Sequence, residues 1–222
     1  MDQLISQLAG ARLQTVVGPV REVGQLSAAQ LADLQRATVC ALDCEGIDIT
    51  RLGRISIVSL ATETTCFLFD VLDTQRTPGV VTLLKGLLED AGVTKIVHDT
   101  KMDVDALHHQ LKITVVNAHD TQAGDQVLTG HRSNLNDTLE RYDCSRNSER
   151  DRNLYASNDV IWATRPLTQR LIDYASGDVQ SLFRLREEQR SEADYSPAMR
   201  SAAWRHDEEQ LAKAVRAAAS YR

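Results

Sequence analysis

Side chains along 54–61 fall into two alternating rows, Ile55, Ile57 and Ser59 against Ser56, Val58 and Leu60, and this period of two predicts a strand. Apolar runs at 39–43 before it and 66–71 after it read as further strands, the second set off by the polar turn 62–65. Three strands therefore meander. The period then lengthens: Val81, Leu84, Leu87 and Leu88 recur at helical spacing behind Pro78, with Gly92 just past the end. Beyond it come a short strand at 95–98, a helix at 101–111 and a strand at 113–118 that ends at His119-Asp120.

Upstream, residues 2–9 suit a short helix, 13–17 a strand leading to a Gly18-Pro19 break, and Ser27 caps a helix to about Arg36 with Leu31 and Leu34 inward. Downstream, helices are expected at 121–128 and, capped near Ser133, at 134–142. The stretch 145–164 is polar and irregular, and its plainest reading is a solvated loop. A long helix begins after Pro166, capped by Thr168, and runs toward Ala193. Past Pro197 an Ala-rich helix carries Trp204, Leu211 and Val215 at spacings of seven and four. Strands alternating with helices predict an α/β fold, a mixed sheet covered by helices.

At 222 residues the chain suffices for one full domain and is short for two. A net charge of −6 argues against a wholly electrostatic nucleic-acid binder, though not against a nuclease whose carboxylates hold metals. Cys40, Cys44, Cys66 and Cys144 lack C-x-x-C spacing and read as buried thiols in a reducing compartment, with zinc disfavoured. No apolar run approaches a membrane span, and the N-terminus lacks the basic start and apolar stretch of a secretory signal. The expectation is a soluble intracellular protein, compartment unassigned, with no membrane partner.

The candidate chemistry begins on the first meander strand. Asp43 and Glu45 lie two apart and share one face, roughly 6–7 Å apart along the backbone, while Cys40, Leu42 and Cys44 point to the other. Like charges a few ångströms apart repel by about 4 kcal/mol at an effective dielectric near 20, so such a strand end either lies in water or holds a cation. Asp103 lies near a helix start, where an acid also complements the dipole. Tyr174 and Asp178, four apart, share a helix face, where a phenol and a carboxylate can orient a water.

Together, Asp43-x-Glu45, His98-x4-Asp103 and Tyr174-x3-Asp178 resemble the three motifs of the DEDD 3′–5′ exonuclease superfamily in its tyrosine-bearing (DEDDy) branch. Trp162-Ala-Thr-Arg-Pro-Leu-Thr168 with Tyr174-Ala-Ser-Gly-Asp-Val179, Asp120-Thr121-Gln122, and the Leu135–Tyr142 stretch are similar to segments of ribonuclease D. Asp43-Cys-Glu-Gly46 with Arg51-x-Gly53-Arg54 looks more like the Egalitarian-type branch.

The resemblance covers about 13–190 and implies a ribonuclease H-like fold: a mixed five- to six-stranded sheet, its second strand antiparallel, flanked by helices. The exonuclease domain would occupy 1–190, and 191–222 would form a helical extension that docks on it, joins a protein partner or self-associates.

The resemblance further implies a 3′–5′ exoribonuclease releasing nucleoside 5′-monophosphates, with two divalent cations, Mg2+ or Mn2+. Asp43 would bridge both ions. Glu45 and Asp178 would complete the one that activates water, Asp103 would serve the other, and Tyr174 would orient the attacking water. His98, Lys101, Arg150 and Arg152 are candidate substrate contacts, His98 being more often structural at such a position. Asp120 reads as a capping or supporting acid rather than a ligand.

Between His131 and Arg165 six arginines (132, 141, 146, 150, 152, 165) face six acids (137, 140, 143, 149, 151, 159), which leaves no net field for a long nucleic-acid track. The expected partner is single-stranded RNA at its 3′ end, with DNA open. The competing readings are a noncatalytic RNA-binding adaptor that keeps the fold, a 3′–5′ DNA exonuclease, and a phosphodiesterase for very short oligonucleotides.

Overall fold

The period-two segments pair in an order that places the acid-bearing strand inside the sheet. In the computed structural model, which describes residues 15–150 and 159–191, six strands form one sheet: β1 (Thr15–Val20), β2 (Val39–Ile47), β3 (Arg54–Ala61), β4 (Thr65–Asp70), β5 (Thr94–Val97) and β6 (Ala118–Asp120). Their order across the sheet is β1-β4-β3-β2-β5-β6. The β2–β3–β4 meander is antiparallel, while β1 joins β4, β5 joins β2 and β6 joins β5 in parallel. The strand that follows the acid-bearing one thus runs against all the others.

Among the described residues six α-helices flank the sheet: α1 (Ala28–Arg36), α2 (Pro78–Leu88), α3 (Lys101–Ala106, continued by a π-helical turn over Leu107–Leu111), α4 (Thr121–Thr129), α5 (Leu135–Arg141) and α6 (Gln169–Ser191). The starts of α1, α2 and α6 are the expected ones, while α5 is capped by Asn134 rather than Ser133. Ser27 and Gln30 form a reciprocal capping box at α1, Pro78 occupies the first turn of α2, and the Leu171 amide reaches Thr168 Oγ1 at 3.4 Å before α6.

Alternation along β2 divides the core into two. Cys40, Leu42 and Cys44 pack beneath α2 and α3 with Leu84, Leu88, Val104 and Leu107. On the opposite face Ala41 meets Ile57, Ile96 and the stripe Leu171, Ala175, Val179, Leu182 and Leu185 of α6. Fully burying one such Leu or Val contributes about 1.5–3 kcal/mol. That stripe fixes the rotation of α6, and Tyr174 and Asp178 lie along its edge on the same side as Asp43 and Glu45.

Two expectations are corrected. The strand expected to stop at the Gly18-Pro19 break continues to Val20, with its pairing to β4 slipping between Val17 and Val20. At a sheet edge a proline's missing N–H and a local slip are tolerated. The strand expected at 113–118 is confined to Ala118–Asp120. Ile113 and Val115 are buried in alternation, yet Lys112 and Asn117 take left-handed backbone (φ 57° and 51°) and interrupt any ladder. The helices expected at 2–9 and past Pro197, and hence the extension 191–222 beyond Ser191, lie outside the described residues.

Candidate active site

The acids converge because the C-terminal half of β2, the first turn of α3 and the middle of α6 meet at one cleft. Asp43 and Glu45 sit opposite Ser59 and Ile57 of β3, and the register slips immediately after Glu45. A Cβ on Gly46 would lie 2.1 Å from the Arg54 carbonyl oxygen, so only glycine permits this close bend. From above, α6 brings Asp178. One carboxylate oxygen from each of Asp43, Glu45 and Asp178 lies within 4.8 Å of the others.

Asp103, in the first turn of α3, lines the same cleft as Asp43, Glu45 and Tyr174, with a volume of about 880 Å³. Asp120 fixes where α3 begins. Its Oδ1 accepts from the Gln122 amide of α4 and the Asp99 amide, both at 2.9 Å, and its Oδ2 accepts from the Thr100 amide at 2.9 Å. It is a cap and a tether, as its sequence position suggested.

Burial and mutual proximity raise the acids of this cluster. Burial, then the neighbouring Asp178, pushes the Asp43 carboxyl up to about 7. Burial and the nearby Asp43 hold Asp103 well above the ordinary carboxylate range. Burial raises Asp178 as well, although Arg150 and Asn147 pull the other way. Asp43 Oδ2 is buried without a hydrogen-bond partner, which costs free energy unless something cationic meets it. An all-oxygen donor set with one orphaned oxygen fits a hard divalent cation.

A sequence profile of the 3′–5′ exonuclease family matches residues 24–193. The chain belongs to that family, in the DEDD superfamily. The Xenopus laevis piRNA biogenesis protein EXD1 is 38% identical over 98 residues, 43% of this chain and 21% of that protein. The Drosophila melanogaster exosome complex component 10 homolog is 29% identical over 154 residues, 69% of this chain and 16% of that one. The chain thus spans about a fifth or less of the length of these curated relatives. Trypanosoma brucei RNase D, crystallised with RNA U12, superposes with a TM-score of 0.74 at 27% identity, covering 94% of this chain and 72% of that one. The mixed six-stranded sheet is the ribonuclease D-like exonuclease fold.

Within this exonuclease domain the other expected contacts separate. His98 lines the cleft, but its Nδ1 lies 2.9 Å from Thr121 Oγ1 and its Nε2 3.3 Å from the Ser133 carbonyl, so both nitrogens already face protein groups. Lys101 is exposed at the start of α3 and is not among the cleft-lining residues. Arg150 lines the cleft, hydrogen-bonds Asp178 Oδ2, and sets its guanidinium carbon 5.8 Å from the centre of the Tyr174 ring. Arg152 lies outside the described residues.

The other arginines counted between 131 and 165 are also engaged. Arg132 pairs with Asp99, Arg141 with Asp125, Arg146 with Glu140, and Arg165 with Asp70. Trp162 is fully buried and packs edge-on against Tyr174 at 5.8 Å.

Sequence reasoning missed Asn147, which it placed in a solvated loop. Asn147 is buried, and its Nδ2 donates to Asp178 Oδ1 at 2.7 Å and to the Tyr174 carbonyl at 2.9 Å. Asn136 of α5 secures it reciprocally, accepting from the Asn147 amide at 2.9 Å and donating to its carbonyl at 3.1 Å. One signal was present. Gly177 sits in a helix interior, where glycine costs about 1 kcal/mol against alanine, and a Cβ there would stand 2.8 Å from the Asn147 side chain.

Proposed function

We propose that this domain is a metal-dependent 3′–5′ exoribonuclease that releases nucleoside 5′-monophosphates from single-stranded RNA 3′ ends. The observation that carries the reading is the meeting of Asp43, Glu45 and Asp178 around an orphaned Asp43 oxygen, in a cleft that also holds Asp103 and Tyr174. Asp43, Glu45 and Asp178 would hold one divalent cation, and Asp43 with Asp103 a second. When bound, such ions supply Lewis-acid activation of water and neutralise charge on the phosphate.

The chain's own residues supply the rest. Asn147 fixes the rotation of Asp178, and Asp120 fixes the start of α3 and with it Asp103. Tyr174 would orient water by hydrogen bonding through its phenol. The cleft volume of about 880 Å³ falls at the upper end of ligand-sized pockets. The preference for ribose draws on the RNase D likeness and its RNA U12 complex.

The test is a time course on 5′-labelled single-stranded RNA and matched DNA with Mg2+, Mn2+ or EDTA, beside Asp43→Asn. The expected result is a ladder shortening from the 3′ end, faster on RNA and absent with EDTA or in the variant. RNA bound but full length under every metal would favour an adaptor instead, and equal rates on DNA would remove the ribose preference.

A further inference from the structure

Asp178 is held from both sides, and unequally. Its Oδ1 takes the short, rigid amide of Asn147, which Asn136 locks in place. Its Oδ2 takes the long side chain of Arg150, which is one-third exposed (33%) on the cleft side. The backbone of this turn is fixed, with the Arg150 amide on the Asn147 carbonyl at 3.2 Å and the Glu149 amide on Asn147 Oδ1 at 3.1 Å. The guanidinium can therefore leave by side-chain rotation alone, without moving the turn.

While it stays, it does two things. It places a positive charge against the carboxylate whose oxygens lie among the three converging acids, and it lies by the ring of Tyr174, which is only 1% exposed. A divalent cation entering beside Asp178 Oδ2 would meet a like charge a few ångströms away.

We propose that Arg150 is a resident counter-cation that occupies Asp178 Oδ2 in place of metal, yields that oxygen when a divalent ion binds, and then turns to a phosphate of the incoming strand. The exchange rests on the exonuclease reading above. It gives Arg150 a positioning role before metal binding and a substrate contact afterwards, and it makes metal and RNA binding mutually supportive, since each rewards the same rotation. A planar fork of N–H donors suits both partners, carboxylate and phosphate.

The experiment is calorimetric titration of Mn2+ into the metal-free protein without nucleic acid, for the wild type and Arg150→Met, followed by binding of a short 5′-fluorescent single-stranded RNA in Ca2+. Removing the competing charge is expected to tighten Mn2+ about tenfold, after allowance for solvent screening of a one-third-exposed group. The same substitution is expected to weaken RNA by a similar factor. Opposite signs are what an exchange requires.

Unchanged or weaker Mn2+ binding in Arg150→Met would overturn the proposal and leave Arg150 a structural prop. Absence of Mn2+ binding by both folded proteins would overturn the exonuclease reading and the proposal with it. Should Arg150→Met fail to fold, Arg150→Gln keeps an amide donor for Asp178 without the charge and carries the same two expectations.

Discussion

Asp70 and Asp178 are both buried carboxylates gripped by arginine, and they behave oppositely. Asp70, at the end of β4, receives a fork from Arg165 (Nε to Oδ2 at 2.7 Å, Nη2 to Oδ1 at 2.8 Å) and a further bond from Arg21 at 2.8 Å. Burial alone would raise its pKa, but the bonds from Arg165 and then Arg21 bring it below the ordinary value. Asp178 receives Arg150 and Asn147, and burial still leaves it raised. One carboxylate with two guanidiniums is a finished structural joint. Asp178, although held by Arg150 and Asn147, stays raised among Asp43, Glu45 and Asp103, and a divalent cation would offset that crowding.

The sharpest way to break the comparison is to neutralise one acid in each place. Asp43→Asn is expected to lower exonuclease turnover at least a hundredfold, because several kcal/mol of transition-state charge stabilisation depend on that ligand. In metal-free protein the same change should raise the melting temperature by a few degrees, since it relieves repulsion among the acids. Asp70→Asn should do the reverse: a stability loss of about 2–3 kcal/mol by denaturant titration, at the low end for a buried pair because Arg21 is half exposed. Two losses, or two gains, would show that the sites do not differ in charge balance.

A smaller perturbation acts on Asp178 alone. Gly177→Ala would press a methyl against Asn147, with an overpacking cost of 1–3 kcal/mol partly offset by helix propensity. The expected result is a net stability change of about 1 kcal/mol and a turnover about tenfold lower from misplaced Asp178, measured by thermal melting and steady-state kinetics.

The most gradual effect is spread over pH. Asp43 titrates near 7 in the folded chain, against about 4 unfolded. It binds its proton more tightly when folded, so its contribution to stability is whole below about pH 4 and is lost as pH rises through 7. Asp70, lowered in the folded chain, contributes above the ordinary carboxylate range and loses that contribution as pH falls through its folded value. Metal-free protein should therefore lose stability between about pH 4 and 7 by up to ~1.4 kcal/mol per pH unit from Asp43, levelling off above 7. Asp43→Asn should flatten that slope in chemical denaturation, and Asp70→Asn should leave it unchanged.

Local chemistry is what the sequence carried well. Period-two alternation separated Asp43 and Glu45 from Cys40, Leu42 and Cys44; the structure packs the second set beneath α2 and α3 and brings the two acids together with Asp178 of α6. Caps at Ser27 and Thr168 and the proline at 78 marked helix starts, because such signals reside in a few adjacent residues. Alternation misled where it lacked a partner. Ile113 and Val115 alternate as a strand would, yet two left-handed residues keep them from a ladder, and backbone handedness at Lys112 and Asn117 leaves no periodic trace.

Strand and helix periodicity put Asp43 with Glu45 and Tyr174 with Asp178 on common faces, but it was the family likeness that joined them with Asp103 into one candidate site. What spacing cannot encode is how neighbours divide a side chain between them. Asn147 and Arg150 sit in an aperiodic polar stretch, and only the approach of that stretch to α6 makes one a clamp on Asp178 Oδ1 and the other the occupant of Oδ2. Likewise, nothing in a count of charges tells Arg165, spent on Asp70, from Arg150, turned into the cleft. Chain-local rules determined which residues could do chemistry. Tertiary packing decided which carboxylate oxygen was left without a partner, because burial and charge balance depend on what other segments bring to the same few ångströms.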